Sequence, residues 1–251
     1  LGIKTRSNKI NLLNTTLDPV NLGRCLEKLK KQNIDNVILE ASSHGLKQHR
    51  LDGLNFTTAI FTNLSHDHLD YHKNFKDYLN AKLYLFKKLL KKKSNIITDI
   101  TIPEYKKIKK ISQKNKLCLE TIGKDKGDLI IVRHGYQDEK QIVKIKYNNN
   151  IYSFKVNLIG KVQIKNIVMA MLAAEKSNIN FKKIVNVINK IKPVNGRLEK
   201  IGMLRNNAKV ILDYAHTPDA LKSCLQSLRD QFENRKISIV FGCGGERDKS
   251  K

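Results

Sequence analysis

The 251-residue sequence predicts an α/β fold: a mostly parallel, doubly wound sheet followed by the start of a Rossmann-like unit. Three observations predict it. Apolar runs such as Val37-Ile38-Leu39 and Ala59-Ile60-Phe61 each end in a polar cluster, Glu40-Ala-Ser-Ser-His44 and Thr62-Asn-Leu-Ser-His-Asp-His-Leu-Asp-Tyr-His72. Segments of helical apolar period alternate with these runs, which is the order that builds parallel sheets. A strand, a helix and a strand follow Pro193-Val194-Asn195-Gly196, which punctuates the chain and divides it into domains at 1–194 and 195–251.

Taken in order, Asp18-Pro19 offers an N-cap and a first-turn proline for a helix through about Lys31. Residues 36–40 read as a buried strand and residues 59–63 as the next. Phe75, Tyr78, Leu79, Phe86, Leu89 and Leu90 recur at helical spacing, predicting an amphipathic helix over 75–90. Lys82 falls on its apolar face, where lysine is rare unless paired; a snorkelling stem is the alternative. Residues 129–132, 142–147 and 151–158 read as short strands, the last two joined by a hairpin at Asn148-Asn149-Asn150. Residues 164–176 and 181–190 read as helices. Beyond the boundary come a strand at 210–213, a helix from Thr217-Pro218 with Leu221, Leu225 and Leu228 on one side, and a strand at 237–241. A partial second domain is therefore expected.

Forty-eight Lys and Arg against 23 Asp and Glu give a net charge of +25, which raises nucleic acid or an anionic membrane as partners. The lysines are spread along helices and loops, and tryptophan is absent, so no nucleic-acid partner is expected. A basic nucleic-acid-binding protein is the non-enzymatic alternative. No apolar run of about 18 residues and no signal segment are found, so no membrane span and a cytoplasmic location are expected. Cys25, Cys118, Cys224 and Cys243 are far apart and form no C-x-x-C pair, which argues for reduced thiols and against structural zinc.

In a parallel sheet, ligands bind outside the carboxyl ends of strands, so two consecutive strands with polar ends predict one shared site. Three histidines and two aspartates within residues 66–72 give that site metal or phosphate chemistry, here read as an ATP and magnesium centre. Glu40 is a hard oxygen ligand suited to magnesium; His68 could take a second divalent ion or a phosphate oxygen. The H-E-x-x-H string of a zinc hydrolase is absent.

The strings Glu40-Ala-Ser-Ser-His-Gly-Leu-Lys-Gln-His-Arg50, Thr62 to His72, and Asn80-Ala-Lys82 together resemble the Mur ligases of peptidoglycan synthesis. The likeness is strong over residues 14–86 and 193–249 and weak over 95–158. It implies an ATP-dependent ligase that activates a substrate carboxylate as an acyl phosphate and joins it to an amine. The implied substrates are a UDP-N-acetylmuramoyl dipeptide and a diamino acid, diaminopimelate or lysine, added as the third residue of the stem peptide. Another Mur ligase or a folylpolyglutamate-type ligase is the alternative.

Matching positions imply Glu40 and His68 as magnesium ligands and Lys82 as a carbamylated lysine completing the metal site, all three catalytic. Asn14, Thr15, Thr16, Ser42, Gln48 and Arg50 would contact the nucleotide dipeptide, their hydroxyls, amides and guanidinium suiting a sugar and diphosphate. Thr15-Thr16 before Asp-Pro also reads as a cap. Asn166 would lie near the adenine, Arg197 would reach the phosphates and Asp213 the ribose, although a lone strand-end Asp also reads as structural. Arg247, in a string where Glu246 replaces a usual aspartate, would contact the incoming amino acid. His44 reads either as a site residue or as a partner for backbone groups. The family's Gly-x-x-Gly-x-x-Gly-Lys-[Ser/Thr] loop is missing, the only Gly-Lys pairs being Gly123-Lys124 and Gly160-Lys161. The resemblance thus implies an N-terminally truncated fragment, inactive alone and monomeric when complete.

Overall fold

A computed structural model describes residues 2–5, 9–11, 15–65 and 67–242; Asn14, His66 and Arg247 lie outside the described residues. β1 (Gly2–Lys4) and β2 (Lys9–Asn11) form a short antiparallel ribbon. α1 (Pro19–Lys31) begins as the sequence predicts, with the Asp18 carboxylate accepting from the Asn21 amide and Pro19 in the first turn. α2 (Ser43–Lys47) is capped by the Ser42 hydroxyl. β3 (Phe56–Phe61) and α3 (Phe75–Tyr84) follow, then β4 (Leu90–Asp99), α4 (Tyr105–Asn115) and β5 (Cys118–Gly123). β6 (Leu129–Gln137), β7 (Lys140–Tyr147) and β8 (Asn150–Val156) lead to α5 (Lys161–Glu175) and α6 (Phe181–Val187). β9 (Glu199–Met203), β10 (Lys209–Leu212) and α7 (Pro218–Gln231) complete the described elements.

The main sheet has the order β3-β4-β5-β6-β7-β8. β3 through β6 are parallel, and β6, β7 and β8 close it as an antiparallel meander. Successive side chains of a strand point to opposite faces. Ile96 and Ile97 on β4, both fully buried, accordingly join different cores. Ile96 packs with Leu22 of α1, Leu83 of α3 and Ile108 of α4, whereas Ile97 packs with Val168 and Leu172 of α5 and Phe181 of α6. Helices cover both faces, as a doubly wound sheet requires.

Several expectations need correction. Residues 36–40 join no ladder among the described residues, and Val37 and Ile38 are 48% and 100% exposed. A buried parallel strand needs bonded neighbours and cover on both faces; here the one described hold on this segment's end is the Thr16 hydroxyl, which donates to the Glu40 carbonyl. The next strand is Phe56–Phe61, so Thr62 and Asn63 already lie in the loop. The helix predicted over 75–90 stops at Tyr84 and passes through a π-helical turn, Leu85–Leu89, which buries Leu85, Phe86 and Leu89 before β4 starts at once. β4, α4 and β5 had no sequence expectation. Beyond Gly196, β10 pairs antiparallel with β9, and residues 237–241 are unpaired with Val240 fully exposed, so no parallel β-α-β unit forms among the described residues. The hairpin is as predicted: β7 and β8 pair across Asn148 and Asn149, both at positive φ.

Candidate active site

Three segments meet at the candidate site: residues 40–44, the loop after β3, and α3. Thr16, 1% exposed, clasps the first. Its hydroxyl donates to the Glu40 carbonyl at 2.9 Å, accepts from the Ser42 amide at 3.1 Å and lies 3.0 Å from the Ser42 hydroxyl. Ser42 in turn accepts from the Gly45 amide. A Cβ at Gly45 would sit 2.8 Å from Thr16 Cγ2, so any larger residue there forces Thr16 or the helix to shift. Arg50 donates to the Thr16 carbonyl at 2.8 Å and to Gln48 Oε1, and Gln48 reaches the Tyr71 hydroxyl at 3.0 Å. Of the residues matched to nucleotide-dipeptide binding, Thr16, Ser42, Gln48 and Arg50 therefore form a strap, with Thr15 half-buried beside it.

The loop after β3 stacks its rings on this strap. His44 lies 4.0 Å from Tyr71 and 5.0 Å from His68 between ring centroids. His72, with its side chain wholly buried, stacks on Tyr78, pairs its Nε2 with the Ser43 hydroxyl at 3.0 Å and faces the Asp77 carboxylate at 3.5 Å. Asp77 is held by Lys47 at 2.5 Å, and that bond lowers its pKa. Burial lowers the pKa of His44 and of His72 and favours the neutral ring in each, and the Lys47 charge adds to the shift at His72.

Lys82 projects from α3 into this cluster. Its ammonium lies 5.3 Å from the Tyr78 ring, and the His68 ring is 5.8 Å from the same ring, so Tyr78 is their shared neighbour. Burial lowers the Lys82 pKa while the charges of Glu40 and Asp67 oppose the shift. Burial and Asp67 push Tyr78 up to about 12. The structure thus brings Glu40, His68 and Lys82 into one neighbourhood and adds Asp67 and Tyr78, which sequence reasoning passed over. Asp67 stood between two histidines that drew the attention to themselves.

A third missed residue is His216, whose Nε2 lies 3.8 Å from Asp67 Oδ2 and so brings the later segment to the loop. Asp213 accepts from the Leu198 and Ala215 amides at 2.8 Å each, and the Arg197 guanidinium lies 5.5 Å from the Tyr214 ring. Asp213 and Arg197 are therefore neighbours through the turn at Leu198. Asn166 is exposed on α5. Among the described residues no three His, Cys, Asp or Glu side chains are grouped to hold a metal ion. Magnesium asks for less, one or two carboxylates plus phosphate oxygens and water, and Glu40 fits that donor set.

A mostly parallel sheet covered by helices on both faces is also the fold of one family whose models match this sequence. The Mur ligase middle domain model matches residues 2–174 and the Mur ligase glutamate ligase domain model residues 196–251. The chain belongs to the Mur ligase family. It is similar to the UDP-N-acetylmuramoyl-L-alanyl-D-glutamate--2,6-diaminopimelate ligase of Rickettsia montanensis, 37% identical over 96% of this chain and 50% of the relative. The enzyme of the same name from Rickettsia bellii is 38% identical over 100% of this chain and 52% of its own length. A solved structure of a ligase of that name superposes with a TM-score of 0.77 at 30% identity, covering 98% of this chain and 51% of its own. The chain spans about half the length of the curated relatives it matches. No described helix is long and apolar enough to cross a membrane.

Proposed function

We propose that this chain carries the metal and acyl-phosphate side of an ATP-dependent ligase acting on UDP-N-acetylmuramoyl-L-alanyl-D-glutamate. The relatives' names supply 2,6-diaminopimelate as the incoming amine. One observation carries the reading: a desolvated Lys82 amine beside Glu40 and Asp67, at the carboxyl edge of a parallel sheet. Burial favours the neutral amine, the form that adds CO2 with loss of a proton to give a carbamate. A carbamylated Lys82 would present oxygens beside Glu40, and His68 would contribute an imidazole. ATP with magnesium would supply the phosphoryl group and the charge neutralisation that activate the substrate carboxylate.

The remaining roles rest on the family resemblance. Gln48 and Arg50 would position the nucleotide dipeptide from the strap, and Ser42 and Thr16 would hold the strap in shape. Arg197, Asp213 and Asn166 would address ATP, with the later segment, from about residue 195, acting as a second domain. Chemistry of this kind rests mainly on positioning and electrostatics. With no Gly-Lys-[Ser/Thr] loop in its 251 residues, the chain alone is expected not to ligate.

The test is carbon-13 NMR of the chain in labelled bicarbonate. The expected result is a carbamate resonance that is absent in Lys82→Arg, broadened by Mn2+, and broadened less in Glu40→Gln. A spectrum without that resonance, or one that Mn2+ leaves sharp, overturns the reading.

A further inference from the structure

A second cleft opens at the same edge of the sheet, beyond β4, with a volume of about 630 Å³. It lies between the ends of β4 and β5, the first stretch of β6 and the opening turn of α5, and includes neither the Lys82 cluster nor Asn166. Its size is that of sites that hold a small organic ligand.

Three features show that it is built. Four consecutive residues of β6, Ile131 to His134, all line it, which a regular strand with alternating faces cannot do. A register shift between Ile131 and Arg133 makes it possible: an inserted residue turns the strand so that Arg133 faces the cleft. The facing loop is locked. Asp128 accepts from the Thr121 amide at 2.8 Å and hydroxyl at 2.6 Å, and Gly123 packs so tightly that a Cβ would meet the Lys126 carbonyl at 2.1 Å. Finally, α5 starts after Gly160 with no side-chain cap; the Gly160 amide is taken by Gln231 and the Gln163 amide by the Gly160 carbonyl, which leaves the Lys161 and Val162 amides at the helix start without a side-chain partner.

The charge selects the ligand. Asp99, 1% exposed, is fully used: Lys165 holds one oxygen at 2.5 Å and the Thr101 amide and hydroxyl hold the other. That leaves Lys124, Arg133 and Lys161 on the lining, none of them in an ion pair among the described residues, against Asp125 alone. Cations from three elements converge with an uncapped helix start, the arrangement that takes a tetrahedral oxyanion. Ile122, Ile131 and Ile164 supply an apolar wall.

We propose that this cleft binds a small organic phosphate, its phosphoryl group held by Lys124, Arg133 and Lys161 and its apolar body against the isoleucines. The site is independent of the ligase reading, since it shares no residue with it. It is tested by calorimetric titration of the full chain with phenyl phosphate, with inorganic phosphate as the comparison. Saturable one-to-one binding is expected, tighter for phenyl phosphate. Two lost charge-assisted contacts should weaken it about a hundredfold in Lys124→Gln/Arg133→Gln. Both side chains are exposed, so circular dichroism should show an unchanged fold, and Lys222→Gln, an exposed charge on α7 outside the cleft, should bind as the parent does. The proposal is overturned by non-saturating heats, by equal binding of the two phosphates, by a double variant that binds as well as the parent, or by loss of binding in Lys222→Gln.

Discussion

Burial and charge pull Lys82 in opposite directions: its surroundings favour the neutral amine, while Glu40 and Asp67 favour the ammonium. Burial is the larger effect, so the folded state releases this proton more readily than the unfolded chain. From the lowered folded value up to about 10.4, the unfolded state then holds more protons, and stability rises with pH through that window. Lys82→Met removes the amine but keeps an unbranched chain of similar length. In bicarbonate-free buffer the variant should be more stable than the parent at pH 7 by about 1 kcal/mol, a modest share of the penalty for burying an unpaired charge. Urea midpoints at pH 7 and pH 9 check it: the gap must narrow as the pH rises. A gap that stays constant assigns the difference to packing and removes titration from the account.

The strap of Thr16, Ser42 and Gly45 shows how an element too short to stand alone is fixed. α2 has five residues and would not persist in isolation; its cap and the Thr16 contact define it. Gly45→Ala should cost about 1–3 kcal/mol by forcing a methyl against Thr16. Chemical denaturation should show a lower midpoint with an unchanged slope; a midpoint at the parental value would mean that Thr16 gives way. Such features were only partly legible in the sequence. Asp18-Pro19, Thr217-Pro218 and the Asn148-Asn149 turn carry local chemistry that fixes a helix start or a hairpin by itself, and each appears where predicted. Residues 36–40 and 237–241 have the same apolar pattern as true strands, but pairing is a tertiary matter that periodicity cannot report. β4, with Lys91-Lys92-Lys93 at its start, hid behind a charge run, and the helix before it ended in a π-helical turn that no spacing rule marks. Of the site, the motif strings located Glu40, His68 and Lys82. They could not show that Thr16 is buried, or that Asp67 rather than a histidine sits electrostatically beside the lysine.

At the scale of the molecule, Gln231 joins the segment after Gly196 to the main sheet, alongside the Lys209–Glu139 ion pair and the approach of His216 to Asp67. Gln231, at the end of α7 and 7% exposed, accepts from the Gly160 amide at 3.0 Å and donates to the Glu139 and Leu158 carbonyls at 2.6 and 3.2 Å. The two parts also pack tightly at Gly160, where a Cβ would lie 2.8 Å from Leu198 Cδ1. Gln141 donates to the Leu158 and Gly160 carbonyls from the sheet side, so Leu158 keeps a partner if Gln231 is lost, but the Gly160 amide and the Glu139 carbonyl do not. Gln231→Ala should therefore cost about 1–3 kcal/mol, the penalty for leaving the buried Gly160 amide unpaired. The loss should be local. Hydrogen exchange should speed up at Gly160 and along α7, while the amides of β4 and β5, deep between the two cores, keep their parental protection. Gln231→Glu separates the two halves of the contact: a carboxylate still accepts from Gly160 but faces two carbonyls with no proton to offer, so it should loosen α7 at least as much as alanine does. Uniform acceleration across β4, β5 and α7 in both variants would mean that the segments unfold as one unit, and that Gln231 braces the whole molecule rather than a dockable part.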